Sequence, residues 1–122
     1  MAALAVPDQP TVLSAGFAAG AVNGNQLVES GPPKPPGIRS EALVGYIWAI
    51  NLAKGDSFWL RIEKDGQVFS QQVTQPLDRS KAVYVAYAGK KGAPKPGRYR
   101  LETAIIRQGE KIVTRSIELN LE

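Results

Sequence analysis

Alternating apolar and polar residues between Gly55 and Val73, GDSFWLRIEKDGQVFSQQV, predict a hairpin of two β-strands. Phe58, Leu60 and Ile62 fall on one side of the first strand, and the residues between them fall on the other. This period of two is typical of a strand with one face in a core and one face in water. The turn is expected at Asp65-Gly66, because a tight type I′ turn needs positive φ at both central residues.

Two segments before this hairpin also have the character of strands. Thr11 to Phe17 places Leu13, Ala15 and Phe17 on one side, and its Gly16 favours an edge strand or a strand with a bulge. The run from Ala42 to Leu52, ALVGYIWAINL, is apolar on both sides, which is typical of a central, covered strand or a buried helix segment. Its β-branched and aromatic residues and the Lys54-Gly55-Asp56 turn after it favour a strand.

Three segments follow the hairpin. Ala82 to Ala88 is a strand whose inward side the pattern leaves open. Arg98 to Arg107 and Lys111 to Leu121 form a last hairpin that turns at Gln108-Gly109.

About seven short strands separated by regular turn signals predict an all-β fold. The expected architecture is an antiparallel two-sheet β-sandwich of immunoglobulin-like or fibronectin type III-like shape, with a small barrel as the alternative. Alternation on four segments predicts a core that includes Trp48, Phe58, Leu60, Ile62, Tyr99, Leu101, Ile117 and Leu119.

The chain of 122 residues suits one domain. Residues 1–10 are expected to be a tail or linker, and residues 11–122 a single sandwich with a Pro/Gly-rich loop at about 21–40. The N-terminus lacks the basic region of a signal peptide, so we expect Met1 to be a start codon added to a fragment of a longer protein. No apolar run is long enough for a transmembrane helix, so we expect no membrane insertion.

Composition argues against catalysis. The chain has no His and no Cys, which removes the usual general base, the catalytic triad and thiol chemistry. The acids are scattered, and no Gly-rich loop opens a helix to cradle phosphate. We therefore expect no catalytic residue, no metal site and no cofactor. The net charge of +4 is interleaved with acids and accompanied by no nucleic-acid motif, so no nucleic-acid partner is expected.

Parity suggests a candidate docking patch. If Phe58 faces inward, Trp59 faces outward. The same alternation places Ile106 and Ile112 of the last hairpin on the outer side. The predicted patch consists of Trp59, Ile106 and Ile112, bordered by Arg61 and Arg100. The alternative is that a loop or the N-terminal arm covers it.

A second candidate is the basic loop GKKGAPKPG and the residue after it. Its cations are Lys90, Lys91, Lys95 and Arg98, which could attract an anionic wall polymer. The alternative is an ordinary solvated loop.

Four blocks cover nearly the whole chain and resemble one family. They are AGFAAGAV (15–22), ALVGYIWAINLAKGD (42–56), PLDRSKAVYVAYAGKK (76–91) and PKPGRYRLETAIIRQGEKIVTRSIELNLE (94–122). They resemble the domain that follows the peptidase domain in exported M23-family metallopeptidases of alphaproteobacteria, enzymes that cleave peptidoglycan cross-links at zinc. The zinc-binding motifs H-x-x-x-D and H-x-H are absent here, so no catalytic residue is carried over.

The resemblance implies a non-catalytic accessory domain of the periplasm or cell envelope. Such a domain would position or regulate the peptidase by docking to it or to another envelope protein, and we expect it to be a monomer in isolation. A carbohydrate-binding, cell-wall-binding or adhesion module is the main alternative, and a structural spacer is the third.

Overall fold

The computed structural model describes residues 10–20 and 36–121, and all seven regular elements in those ranges are β-strands. The strands are β1 (Thr11–Ala18), β2 (Ala42–Leu52), β3 (Ser57–Lys64), β4 (Gln67–Val73), β5 (Lys81–Lys91), β6 (Gly97–Arg107) and β7 (Glu110–Leu121). A three-stranded sheet has the order β1-β2-β5, and a four-stranded sheet has the order β4-β3-β6-β7. All pairs are antiparallel, which confirms the predicted two-sheet sandwich.

Both predicted hairpin turns have the backbone geometry that their sequences require. Asp65 and Gly66 have φ angles of 50° and 86°, and Gln108 and Gly109 have φ angles of 54° and 82°. Positive φ at two successive residues is the type I′ arrangement, whose twist matches that of the flanking strands. Local turn chemistry therefore fixes where β3 and β6 end.

The core lies between the sheets and is built from every second residue of the central strands. Phe58, Leu60 and Ile62 of β3 and Tyr99 and Leu101 of β6 are buried, as predicted. They face a row on β2 and β5 that includes Leu43, Ile47, Ala49, Ala86 and Ala88. Ile117 and Leu119 of β7 are half-buried and pack against this core.

The prediction that Trp48 belongs to this core is wrong. Leu43 and Ile47 of β2 point into the sandwich, so Trp48 lies on the outer face of the three-stranded sheet. There it is half-buried beside Tyr46 in a smaller apolar cluster. Alternation could not decide between the faces of β2, because both are apolar.

One irregularity shifts the alternation along the three-stranded sheet. A bulge between Val12 and Ser14 of β1 turns Leu13 outward, where 46% of it is exposed, instead of placing it beside Phe17. β1 is also an edge strand, so the expectation drawn from Gly16 is confirmed.

A tyrosine at the start of β6 ties down the loop before it. The Tyr99 hydroxyl donates a 2.7 Å hydrogen bond to the main-chain carbonyl of Lys95. This contact has the form of the tyrosine corner found in immunoglobulin-like sandwiches. It supports the fold class independently of the strand order.

A buried ion pair closes the opposite end of the sandwich. Asp56, at the turn between β2 and β3, is fully buried and receives two 2.9 Å hydrogen bonds from the guanidinium of Arg107. The Ala53 amide donates a third bond to the same carboxylate. Burial alone raises the pKa of Asp56, but these bonds outweigh burial and hold its pKa below the ordinary value.

The predicted tail and most of the predicted Pro/Gly-rich loop lie outside the described residues. Within the described part of that loop, the Ser40 amide donates to the Gly37 carbonyl, and the Gly37 amide donates to the Ser40 hydroxyl. These bonds form a tight turn that leads into β2.

Candidate functional site

The outer face of the four-stranded sheet carries Trp59, as parity predicted. Trp59 is half-buried and pairs with Ala104 of β6 on one side and Val73 of β4 on the other. Val73 is 55% exposed, and Ile106 is half-buried on the same side of the sheet. Trp59 is thus the centre of an apolar surface that sequence reasoning found only in part.

The expected outward position of Ile112 is wrong. The register between β6 and β7 shifts after Ile105, so Lys111 pairs with Ile106, and Ile112 occupies the bulge. Ile112 is half-buried and packs against the core. Lys111 takes the outward position, with its Nζ 3.6 Å from the centroid of the Trp59 ring. This is a close cation–π contact.

We call Trp59, Val73, Ile106 and Lys111 the Trp59 face. Val73 was missed because it is the last residue of a short polar strand, and only its pairing with Trp59 brings it to this surface. Lys111 was missed because the bulge that turns it outward leaves no mark in the sequence.

The two arginines of the predicted patch lie further along the same sheet. Arg61 forms a 2.9 Å ion pair with Glu63, and Arg100 lies 3.4 Å from Glu102 and donates to the Ser116 hydroxyl. Both arginines therefore already have partners within the sheet. Arg61 is the next outward residue after Trp59 on β3 and borders the apolar surface, whereas Arg100 pairs with Glu63, further along β3, and lies beyond that border. Both arginines belong to a mixed-charge ladder.

The four cations of the predicted basic loop line two different cavities. Lys90, Lys91 and Lys95 line one cavity of about 400 Å³. Arg98 lines a different depression, next to Glu118. The fourth lysine of the cavity is Lys64, at the end of β3, and no pattern in the sequence predicts its place there.

The turn between β3 and β4 brings Lys64 there. The Asp65 carboxylate accepts from the Arg98 amide and from Lys64, and these bonds hold its pKa below the ordinary value. The hydrogen bond from Lys64 to this carboxylate in turn raises the lysine pKa. Asp65 is thus a structural link between the turn and β6 as well as a turn residue.

Among residues 10–20 and 36–121, no three acidic, His or Cys side chains are grouped to hold a metal ion. Asp56 is the one fully buried carboxylate described, and Arg107 and Ala53 occupy both of its oxygens. Its role is structural.

Comparisons with known proteins add no family. In the part of the chain that the structure describes, no helix has the length and apolar character to cross a membrane. No family model matches the sequence, and a search of curated proteins finds no significant match.

Proposed function

We propose that this chain is a non-catalytic binding module that docks a protein partner through the Trp59 face. The observation that carries the proposal is an outward Trp59 flanked by the exposed Val73 and the half-buried Ile106. Aromatic anchors ringed by aliphatic and cationic side chains are typical of the energetic centre of an interface.

The chemistry of the face defines the partner. An apolar centre needs a matching apolar patch, and the Lys111 ammonium, held over the ring, needs a carboxylate on the other side. The family resemblance suggests that this partner is an M23-type peptidase domain or another protein of the periplasm. The module would then position or regulate a peptidase while being monomeric and inactive itself.

A sugar ligand is the rival for the same surface, because an exposed indole can stack on a pyranose ring. The position of Lys111 weighs against it. Its ammonium occupies one face of the Trp59 ring at 3.6 Å, so a sugar could stack there only after displacing a cation–π contact. A protein carboxylate, in contrast, could bind Lys111 where it already lies.

The chain offers a matched pair of variants for a test. Val73 and Val68 both lie on β4 and are 55% and 54% exposed, but Val73 pairs with Trp59 whereas Val68 pairs with Glu63. Val73→Glu should weaken binding to a purified M23-type peptidase domain at least tenfold, by roughly 1.4 kcal/mol or more, in isothermal titration calorimetry. Val68→Glu should leave the affinity unchanged.

Equal effects of the two variants would remove the docking proposal, and so would the absence of binding to any such domain. Cosedimentation of the chain with peptidoglycan sacculi is the parallel assay. If Trp59→Ala abolished that cosedimentation while peptidase binding stayed intact, the surface would be a glycan site instead.

A further inference from the structure

We propose that the cavity beneath the basic loop, at the end of the sandwich formed by the β3–β4 turn and the β5–β6 connection, binds the phosphate group of an anionic ligand. Its cations are Lys64, Lys90, Lys91 and Lys95. The proposal is independent of the Trp59 face. Trp59 and Val73 pair near the beginning of β3, whereas Lys64 ends that strand.

The cavity carries an excess of positive charge that no ion pair among the described residues balances. Lys64 is paired with Asp65 at 2.9 Å. Among the described residues, no ion pair involves Lys90, Lys91 or Lys95. Three ammonium groups around one cavity repel each other, and a bound anion would relieve that repulsion.

The connection that follows Lys90 and Lys91 and carries Lys95 is fixed at several points. The Gly92 amide donates a 2.6 Å hydrogen bond to the Glu41 carbonyl, and the Tyr99 hydroxyl holds the Lys95 carbonyl. Pro94, between these two points, is buried. A site held in shape before binding loses less entropy when a ligand arrives.

The floor of the cavity is aromatic and directs one of the cations. Phe69 lies edge-on to Tyr99, with a centroid separation of 5.5 Å. The Lys90 Nζ lies 4.9 Å from the centroid of the Phe69 ring, so this ammonium is held above the floor. A volume of about 400 Å³ is enough for a phosphate and a small attached group.

The number and type of the cations favour a compact anion that carries more than one negative charge. All the basic residues that line the cavity are lysines, which act as point charges, and lysine is a common ligand of phosphate. Arg98, the nearest arginine in sequence, lines another depression.

The first experiment uses inorganic pyrophosphate as the probe and isothermal titration calorimetry in about 0.1 M salt. We expect saturable binding by the natural chain. Lys91→Gln and Lys95→Gln should each weaken it about tenfold, which corresponds to the loss of one charge-assisted contact. The matched control is Lys54→Gln, which changes the net charge equally. Lys54 is exposed and follows the end of β2, whereas Lys91 pairs with Ala42 at the beginning of that strand. This control variant should leave the affinity unchanged.

Citrate serves as a carboxylate probe of similar charge and should bind more weakly than pyrophosphate. Tighter binding of citrate, equal losses in all three variants, or no saturable binding of pyrophosphate would each overturn the proposal. Val73→Glu should not change pyrophosphate binding, so failure of either site is recognised separately.

Phosphatidylglycerol vesicles, compared with phosphatidylcholine vesicles, distinguish the source of the phosphate. Binding to the anionic vesicles that is lost in Lys91→Gln would identify a lipid headgroup. Binding to pyrophosphate but to neither vesicle would identify a soluble phosphate ester.

Discussion

Replacing Arg107 by Met removes the partner of a buried carboxylate without changing much side-chain volume. Asp56 then loses two of the three hydrogen bonds to its oxygens and keeps the one from Ala53. Removing one member of a buried pair costs about 3–5 kcal/mol. Because 21% of the Arg107 side chain is exposed, we expect the lower end, about 3 kcal/mol at neutral pH.

The cost should depend on pH in a defined direction. In the natural chain the pKa of Asp56 lies below 3.8, so its pair stabilises the fold above that pH and is lost as the pH falls through the lowered value. In Arg107→Met, burial dominates and raises the pKa of Asp56. The penalty of the unpaired carboxylate then disappears as the pH falls through the raised value and the group protonates.

The measurement is urea unfolding followed by far-ultraviolet circular dichroism from about pH 7 to about pH 3. The difference in unfolding free energy between the natural chain and Arg107→Met should shrink over this range. The same substitution in an Asp56→Asn background should show no such narrowing. A difference that stays constant with pH would refute the account of Asp56 as a buried, ionised group.

Three further substitutions test the fold, each by the same urea unfolding. Gly89→Ala would place a Cβ against the Leu43 carbonyl and 2.7 Å from the Val44 Cα, so it should lower the free energy of unfolding by more than about 2 kcal/mol. Gly37 is exposed, and a Cβ there would meet nothing within 4 Å, so Gly37→Ala should be nearly neutral. Similar values for the two variants would contradict this packing. Tyr99→Phe removes the bond to the Lys95 carbonyl and should cost about 1 kcal/mol, and an unchanged midpoint would show that this bond adds nothing. Leu60→Ala empties a fully packed core position and should cost about 2–5 kcal/mol; a loss below about 1 kcal/mol would mean that the sheets close over the gap.

The features that could be predicted from the sequence are those decided locally. Asp65-Gly66 and Gln108-Gly109 determine their turns through backbone preference alone, and both hairpins form as expected. Alternation placed Phe58 and Trp59 on the correct faces of β3, because only one side of that strand is consistently apolar. Where the alternation along a strand and the sequence of its turn agree, the face on which each side chain lies can be predicted.

The features that could not be predicted depend on contacts between distant strands. The shift after Ile105 exchanges Ile112 for Lys111 on the outer face, and a one-residue bulge reverses parity without a sequence signal. Lys64 reaches the basic cavity only because the turn after it packs against β6. Lys111 and Lys64 could therefore be assigned to their sites only from the three-dimensional structure.

The opposite placement of the two tryptophans has a spectroscopic consequence. Trp48 lies on the outer face of the three-stranded sheet and Trp59 on the outer face of the four-stranded sheet, and the chain contains no other tryptophan. Trp48→Phe and Trp59→Phe would each leave one fluorophore, and each fluorophore would report on one sheet. Coincident denaturation curves for the two variants would mean that the sheets separate and lose their strands in a single cooperative step.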